Sequence, residues 1–147
     1  MTVDLVQWLT AQLDADERIA RAVPLDLGHS WSDPGPWVMA GNGGGGREAE
    51  VAKAAEGLEM PLAEHVAHHI AAHDPARVLR EVDSKRQLLA RHGPSDMGSF
   101  VLGDDEDDDS PACRTCGDLT VQFPCWTLRL IAAVYADRDG YQEAWRP

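Results

Sequence analysis

The sequence predicts a mainly α-helical protein of about four helices, with a small β-hairpin near Trp37. Apolar residues recur at helical spacing in four segments, and proline or glycine interrupts the pattern between them. Residues 24–47 are rich in such breakers and leave room only for short strands. With 147 residues and a hydrophobic content of 44%, the chain is expected to form a single domain over residues 1–147.

The first two predicted helices differ in the clarity of their patterns. The first covers residues 3–22 and places four apolar residues on one face, namely Leu5, Val6, Leu9 and Leu13. A second helical pattern runs from about residue 48 to residue 72. It is interrupted near Gly57 and again at Pro61, which suits the first turn of a helix.

The third helix has the clearest limits, about residues 75–91. Asp74 can cap its free amides and Pro75 needs no amide partner, while Gly93-Pro94 stops it. The last helix is predicted over about 126–136, with Leu128, Ile131, Val134 and Tyr135 on its apolar side. Tyr141 and Trp145 in the tail are expected to fold back and cover the core.

Two segments are predicted to be loops. The glycine run at about 41–47 reads as a flexible hairpin connection, and it lacks the GxxxxGK[ST] pattern of a phosphate-binding loop. The segment at about 103–112 reads as an exposed acidic loop, because it contains the six consecutive acids Asp104 to Asp109.

The charge balance limits the expected partners. The formal net charge is −12, and it would be −6 without the acidic run. A chain with this balance is not expected to bind nucleic acid or an anionic membrane directly, and a charged protein partner should present a basic surface. The N-terminus carries acids where a signal peptide carries basic residues, so the sequence predicts a cytoplasmic protein.

The three cysteines form the sharpest chemical pattern. Cys113 and Cys116 are separated by two residues and followed by Gly117, a spacing that lets both thiolates reach one ion from a tight turn. Cys125, at the start of the last helix, adds a third thiolate. An odd number of cysteines without an export signal argues against a disulfide framework. The sequence therefore predicts a structural zinc site, although three buried, inert cysteines are the alternative.

A histidine is the expected fourth zinc ligand, since imidazole commonly completes a set of three thiolates. His73, at the helix break beside the Asp74 cap, is the first candidate, followed by His69 one turn earlier and then by His65 or His92. His65, His69 and His73 are spaced by four residues, so a continuous helix would place them on one face. Each of them can equally be an ordinary surface or cap histidine.

Several segments of the chain carry distinctive motifs: residues 69–82 with His-Asp-Pro-Ala-Arg-Val-Leu, the Cys-Arg-Thr-Cys-Gly turn, Pro124-Cys125-x-Thr-Leu-Arg, and the C-terminal Tyr-Ala-Asp, Gly-Tyr and Trp-Arg-Pro. Together they resemble an uncharacterised family of small actinobacterial and phage proteins. The resemblance implies that His69, His73 and the three cysteines form one metal cluster. The chain departs from the family at Arg138-Asp139, where relatives have His-Pro, and at the glycine run.

The sequence favours a non-enzymatic interaction or regulatory module whose zinc is purely structural. A metal-dependent hydrolase is the first alternative, motivated by the clustered histidines and the His73-Asp74 pair. The protease patterns H-E-x-x-H and H-x-x-E-H are absent, which weakens it. An acidic decoy that binds a nucleic-acid-binding protein is the second alternative, motivated by Asp104 to Asp109.

Overall fold

The computed structural model describes residues 4–24, 28–33, 35, 37–40, 49–53, 59–95, 112–116 and 123–147. These residues form four α-helices, which confirms the mainly α prediction: α1 (Leu5–Arg21), α2 (Met60–Ala72), α3 (Pro75–Arg91) and α4 (Trp126–Ala133). A short 3₁₀ helix follows at Glu143–Trp145. The predicted glycine loop at 41–47 and nearly all of the acidic loop at 103–112 lie outside the described residues.

Contacts group the chain into two compact units, residues 15–82 and residues 1–14 with 83–147. The single domain over residues 1–147 stays a prediction. None of the helices in the described ranges combines the length and apolar character that crossing a membrane requires.

The unit of residues 15–82 contains a three-stranded antiparallel sheet. Its strands are β1 (Trp31–Ser32), β2 (Trp37–Ala40) and β3 (Ala49–Lys53), in the order β1-β2-β3. Trp31 pairs with Ala40, which in turn pairs with Ala49, and the register shifts between Val38 and Met39. The strand predicted near Trp37 is confirmed.

The helical pattern predicted from residue 48 onward is wrong for residues 49–53. Alanine, glutamate and lysine favour a helix by intrinsic propensity, but pairing with β2 holds this segment as β3. The core of this unit forms where α2 meets the sheet. Val38, Ala67 and Ala71 are buried there, and Trp31, Val66 and Ile70 pack against them.

Asp74 fixes the start of α3 as the sequence predicts. One carboxylate oxygen accepts the Arg77 amide at 2.7 Å, and the other accepts the Trp31 amide at 3.2 Å. The side chain thus caps α3 and ties the first strand to the α2–α3 junction. The observed limits of α3, Pro75–Arg91, confirm the prediction.

The other unit is built around an aromatic cluster, defined as Trp8, Tyr135, Tyr141 and Trp145. The Trp8 ring lies 5.2 Å from that of Trp145 and 5.8 Å from that of Tyr141, measured between centroids. Its Nε1–H donates to the Asp139 carbonyl oxygen at 3.0 Å. The tail therefore folds back over the core, as the sequence predicts.

Gly140 is required by the turn that brings the tail to Trp8. Its φ is 84°, in the left-handed region that side chains rarely adopt, and a Cβ there would lie 3.0 Å from Trp8 Nε1. The last helix is shorter than predicted, since α4 ends at Ala133. The chain continues in tighter turns, with Tyr135 and Arg138 amides bonded to carbonyl oxygens three residues earlier.

Candidate metal centre

The C-terminal end of α3 provides the base of the site. The helix ends at Arg91, and the His92 amide still bonds to the Leu88 carbonyl oxygen at 2.9 Å. Gly93 and Pro94 then stop the helix. The last carbonyl groups of a helix lack partners within it, so another segment must satisfy them if they are covered.

The turn at residues 113–116 supplies those partners. Thr115 Oγ1 donates to the Arg91 carbonyl oxygen, and the Arg114 guanidinium donates to the Ala90 and Pro94 carbonyl oxygens at 3.3 Å each. The side chains between the two cysteines thus hold the turn on the end of α3.

Backbone pairing fixes the same turn from the other side. Pro94 and Cys113 form an isolated antiparallel bridge, flanked by hydrogen bonds from Ser95 N to Ala112 O at 2.8 Å and from Arg114 N to Gly93 O at 2.9 Å. These contacts place Cys113 directly beside His92.

Cys125 reaches the site from the start of α4. It occupies the N-cap position, is fully buried, and its carbonyl oxygen accepts the Arg129 amide at 3.1 Å. The Arg129 side chain donates from Nε to the Pro124 carbonyl oxygen at 2.9 Å, which fixes the chain just before the cysteine. A helix N-terminus favours a thiolate, because the free amides there carry partial positive charge.

The four side chains converge on one point. His92 Nδ1 lies 3.6 Å from the sulfur atom of each of the three cysteines. All four candidate ligand atoms lie within 4.8 Å of one another, and the group could hold a metal ion. Cys113 and Cys125 are buried, His92 is half-buried and Cys116 is exposed.

In the absence of a metal, the pKa values of Cys113 and Cys116 are shifted in opposite directions. Burial raises the pKa of Cys113, but the backbone amides of Cys116 and Thr115 and the neighbouring thiols outweigh it and bring that pKa to about 7. The hydrogen bond with Cys113, followed by burial and the charge of the other two thiols, raises the pKa of Cys116 to about 11. Several negative charges in one small space repel each other, and a cation relieves that repulsion.

The structure places His92, rather than His73 or His69, beside the three thiols. His69 and His73 are exposed on the end of α2, and His73 Nδ1–H donates to the His69 carbonyl oxygen at 2.8 Å. Within the described ranges, neither of them belongs to the group of four, and neither does His65. His92 shares the third place with His65 in the sequence-based order, and nothing in its local spacing links it to the cysteines. The adjoining Gly93-Pro94 stop is its one local signal, since it places His92 at the end of a helix.

Comparison with known proteins identifies a family but no characterised relative. The family model of DUF6221, a family of unknown function, matches residues 2–147. No curated protein and no solved structure matches the chain significantly. The resemblance to an uncharacterised family is confirmed at that level, and the actinobacterial and phage range of the family stays a prediction.

Proposed function

We propose that this chain, which belongs to the family of unknown function DUF6221, is a non-enzymatic interaction module stabilised by one structural zinc ion. The observation that carries the proposal is the equal 3.6 Å separation of His92 Nδ1 from three sulfur atoms. Zinc bonds of about 2.3 Å to sulfur and 2.0–2.1 Å to nitrogen, at a tetrahedral angle, put these atoms about 3.6 Å apart. The spacing therefore supports Cys113, Cys116, Cys125 and His92 as the ligands.

A structural role follows from the number of ligands. Structural zinc sites use four protein ligands, whereas catalytic sites keep a position open for water. Four ligands here would join the end of α3, the turn at 113–116 and the start of α4. The hydrolase alternative would need one of the four to be absent, so we rank it lower. The decoy alternative depends on residues 104–109, which lie outside the described residues.

The ligand assignment predicts the metal content of variants. The protein purified without chelator should contain one zinc per chain, measured by elemental analysis against protein concentration. His92→Ala and Cys125→Ser should lose that zinc at neutral pH, since each removes one of four ligands. His73→Ala, an exposed histidine outside the group, is the matched control and should retain it. Loss of zinc in His73→Ala with retention in His92→Ala would overturn the assignment.

The exposed face of α4 is the surface we propose for the interaction. Trp126, Leu130 and the C-cap residue Val134 are spaced by four residues, and their exposed fractions are 59%, 50% and 63%. An apolar stripe of this kind is typical of a protein-binding surface. It begins directly after Cys125, so the metal would fix the start of the helix that carries it. Because the chain is strongly acidic, we propose a partner protein whose apolar patch is surrounded by basic residues.

This surface can be tested with zinc-loaded protein as bait in affinity capture from a native host extract. A Trp126→Ser/Leu130→Ser variant is the matched bait, and both must first show the same zinc content. We expect a basic protein to be retained by the wild type, released at high salt, and depleted with the variant. Equal recovery with both baits would exclude this face of α4. The cytoplasmic location stays a prediction.

A further inference from the structure

Two of the histidines outside the candidate metal centre form a pair of their own. His69 and His73 are one turn apart on the last part of α2, and both side chains are exposed. Their ring centroids lie 4.4 Å apart, with an angle of 40° between the ring planes. Two imidazoles thus lie side by side on the surface of a helix.

The His73 ring carries its N–H hydrogen on the nitrogen that faces a carbonyl oxygen, as metal-binding histidines usually do. The His69 carbonyl oxygen can only accept a hydrogen bond, so His73 Nδ1 carries the hydrogen in their 2.8 Å contact. In the neutral ring this leaves a lone pair on His73 Nε2. Histidines that bind metals almost always donate the other ring N–H to a carbonyl or a carboxylate in this way, which fixes both the tautomer and the ring orientation.

The ring separation is short enough for both imidazoles to bind one ion, and it can be compared with the separations that two coordination angles would give. Two imidazoles that bind one ion through Nε2 have centroids about 3.2 Å from it, so a right angle separates the centroids by about 4.5 Å and a tetrahedral angle by about 5.2 Å. The observed 4.4 Å fits the right angle. Right angles are typical of Cu²⁺ and Ni²⁺ with nitrogen ligands, whereas Zn²⁺ prefers the tetrahedral angle.

We propose that His69 and His73 form a second metal site, for Cu²⁺ or Ni²⁺, with water in the remaining positions. Both oxygens of the nearby Asp74 carboxylate already accept backbone amides, so we argue the site from the two imidazoles alone. His68 is held elsewhere, with its Nδ1 3.0 Å from an oxygen of Asp33. The site is independent of the cysteine centre, which presents three soft thiolates and suits a different class of ion.

Calorimetric titration of the zinc-loaded full chain with Ni²⁺ tests the site, since Ni²⁺ does not oxidise the thiols. We expect one Ni²⁺ per chain in the wild type and in His68→Ala, the matched control. His69→Ala and His73→Ala should each weaken binding by tenfold or more, since even losing a partner that only orients a ligand costs about 10–100-fold. All three histidines are exposed, so these variants should fold normally.

Two outcomes would overturn the second site. Unchanged Ni²⁺ binding in His73→Ala, with loss in Cys125→Ser, would place the ion at the thiols and leave the zinc proposal intact. Loss in His65→Ala with unchanged binding in His73→Ala would move the site one turn earlier on α2. Conversely, Ni²⁺ binding that follows His69 and His73 supports the second site even if the cysteine centre proves to hold no zinc.

Discussion

With zinc bound at the four ligands as proposed, removal of the metal is expected to lower the melting temperature of this protein by about 8–16 °C. A ligand that binds only the folded state at about a thousand times its dissociation constant adds about 4 kcal/mol of stability. For a chain of this length, each kcal/mol shifts the melting temperature by about 2–4 °C. The ion would join three segments that are distant in sequence, so its removal leaves their contacts without a common anchor.

Differential scanning calorimetry with and without a strong chelator measures this effect. Cys125→Ser should melt at the temperature of the chelated wild type and should not respond to chelator. His73→Ala is the control, and it should keep both the high melting temperature and the response. A wild-type melting temperature that stays constant while elemental analysis shows zinc removal would mean that the ion is not structural.

The stabilisation by metal should shrink when the pH falls from 8 to 6. Thiolates bind the ion, so binding displaces the proton that Cys116, with its pKa raised to about 11, holds at both pH values. Below pH 7 the Cys113 thiol, whose pKa is about 7, also becomes protonated and adds to the competition. The difference in melting temperature between zinc-loaded and chelated protein should therefore be larger at pH 8 than at pH 6.

Trp8→Ala should be the most damaging single substitution in the aromatic cluster, costing about 3–5 kcal/mol of unfolding free energy. The Trp8 side chain is only 6% exposed and contacts the rings of Tyr135, Tyr141 and Trp145. The substitution leaves a cavity, and it also removes the donor that satisfies the Asp139 carbonyl oxygen. The tail of the chain would lose the residue against which it folds.

Urea denaturation compares this variant with Trp126→Ala, which removes a tryptophan that is 59% exposed. The control should change the free energy of unfolding by about 0.5 kcal/mol or less, as surface substitutions usually do. The urea slope should be unchanged in both variants, so that the midpoints report stability. Equal losses in the two variants would contradict the central position of Trp8.

Local signals explain why most helices could be predicted from the sequence. The limits of α3 follow from Asp74-Pro75 at one end and Gly93-Pro94 at the other, and each signal acts within a few residues. β3 could not be predicted in this way. Its Ala49–Lys53 segment has the composition of a helix, and only pairing with β2 makes it a strand.

The candidate metal centre could also be predicted only in part, because some of its residues show a local pattern and one does not. Cysteine spacing is a local property, and it led to the three thiols that the structure brings together. The choice among six histidines depends on which of them the folded chain carries to those thiols. The four-residue spacing on α2 favours His69 and His73, but the 113–116 turn docks on the end of α3 and lies beside His92.

The bridge between Pro94 and Cys113 also bears on how far the length of the segment between them can vary. Residues 93–95 and 112–114 are paired by backbone hydrogen bonds, from Ser95 N to Ala112 O and from Arg114 N to Gly93 O. This pairing joins the two ends of the segment between Ser95 and Ala112. When the two ends of a segment are already joined, doubling its length costs only about 0.6 kcal/mol of loop-closure entropy. A change in the number of residues between Ser95 and Ala112 should therefore leave the pairing at the base, and the ligands beside it, in place.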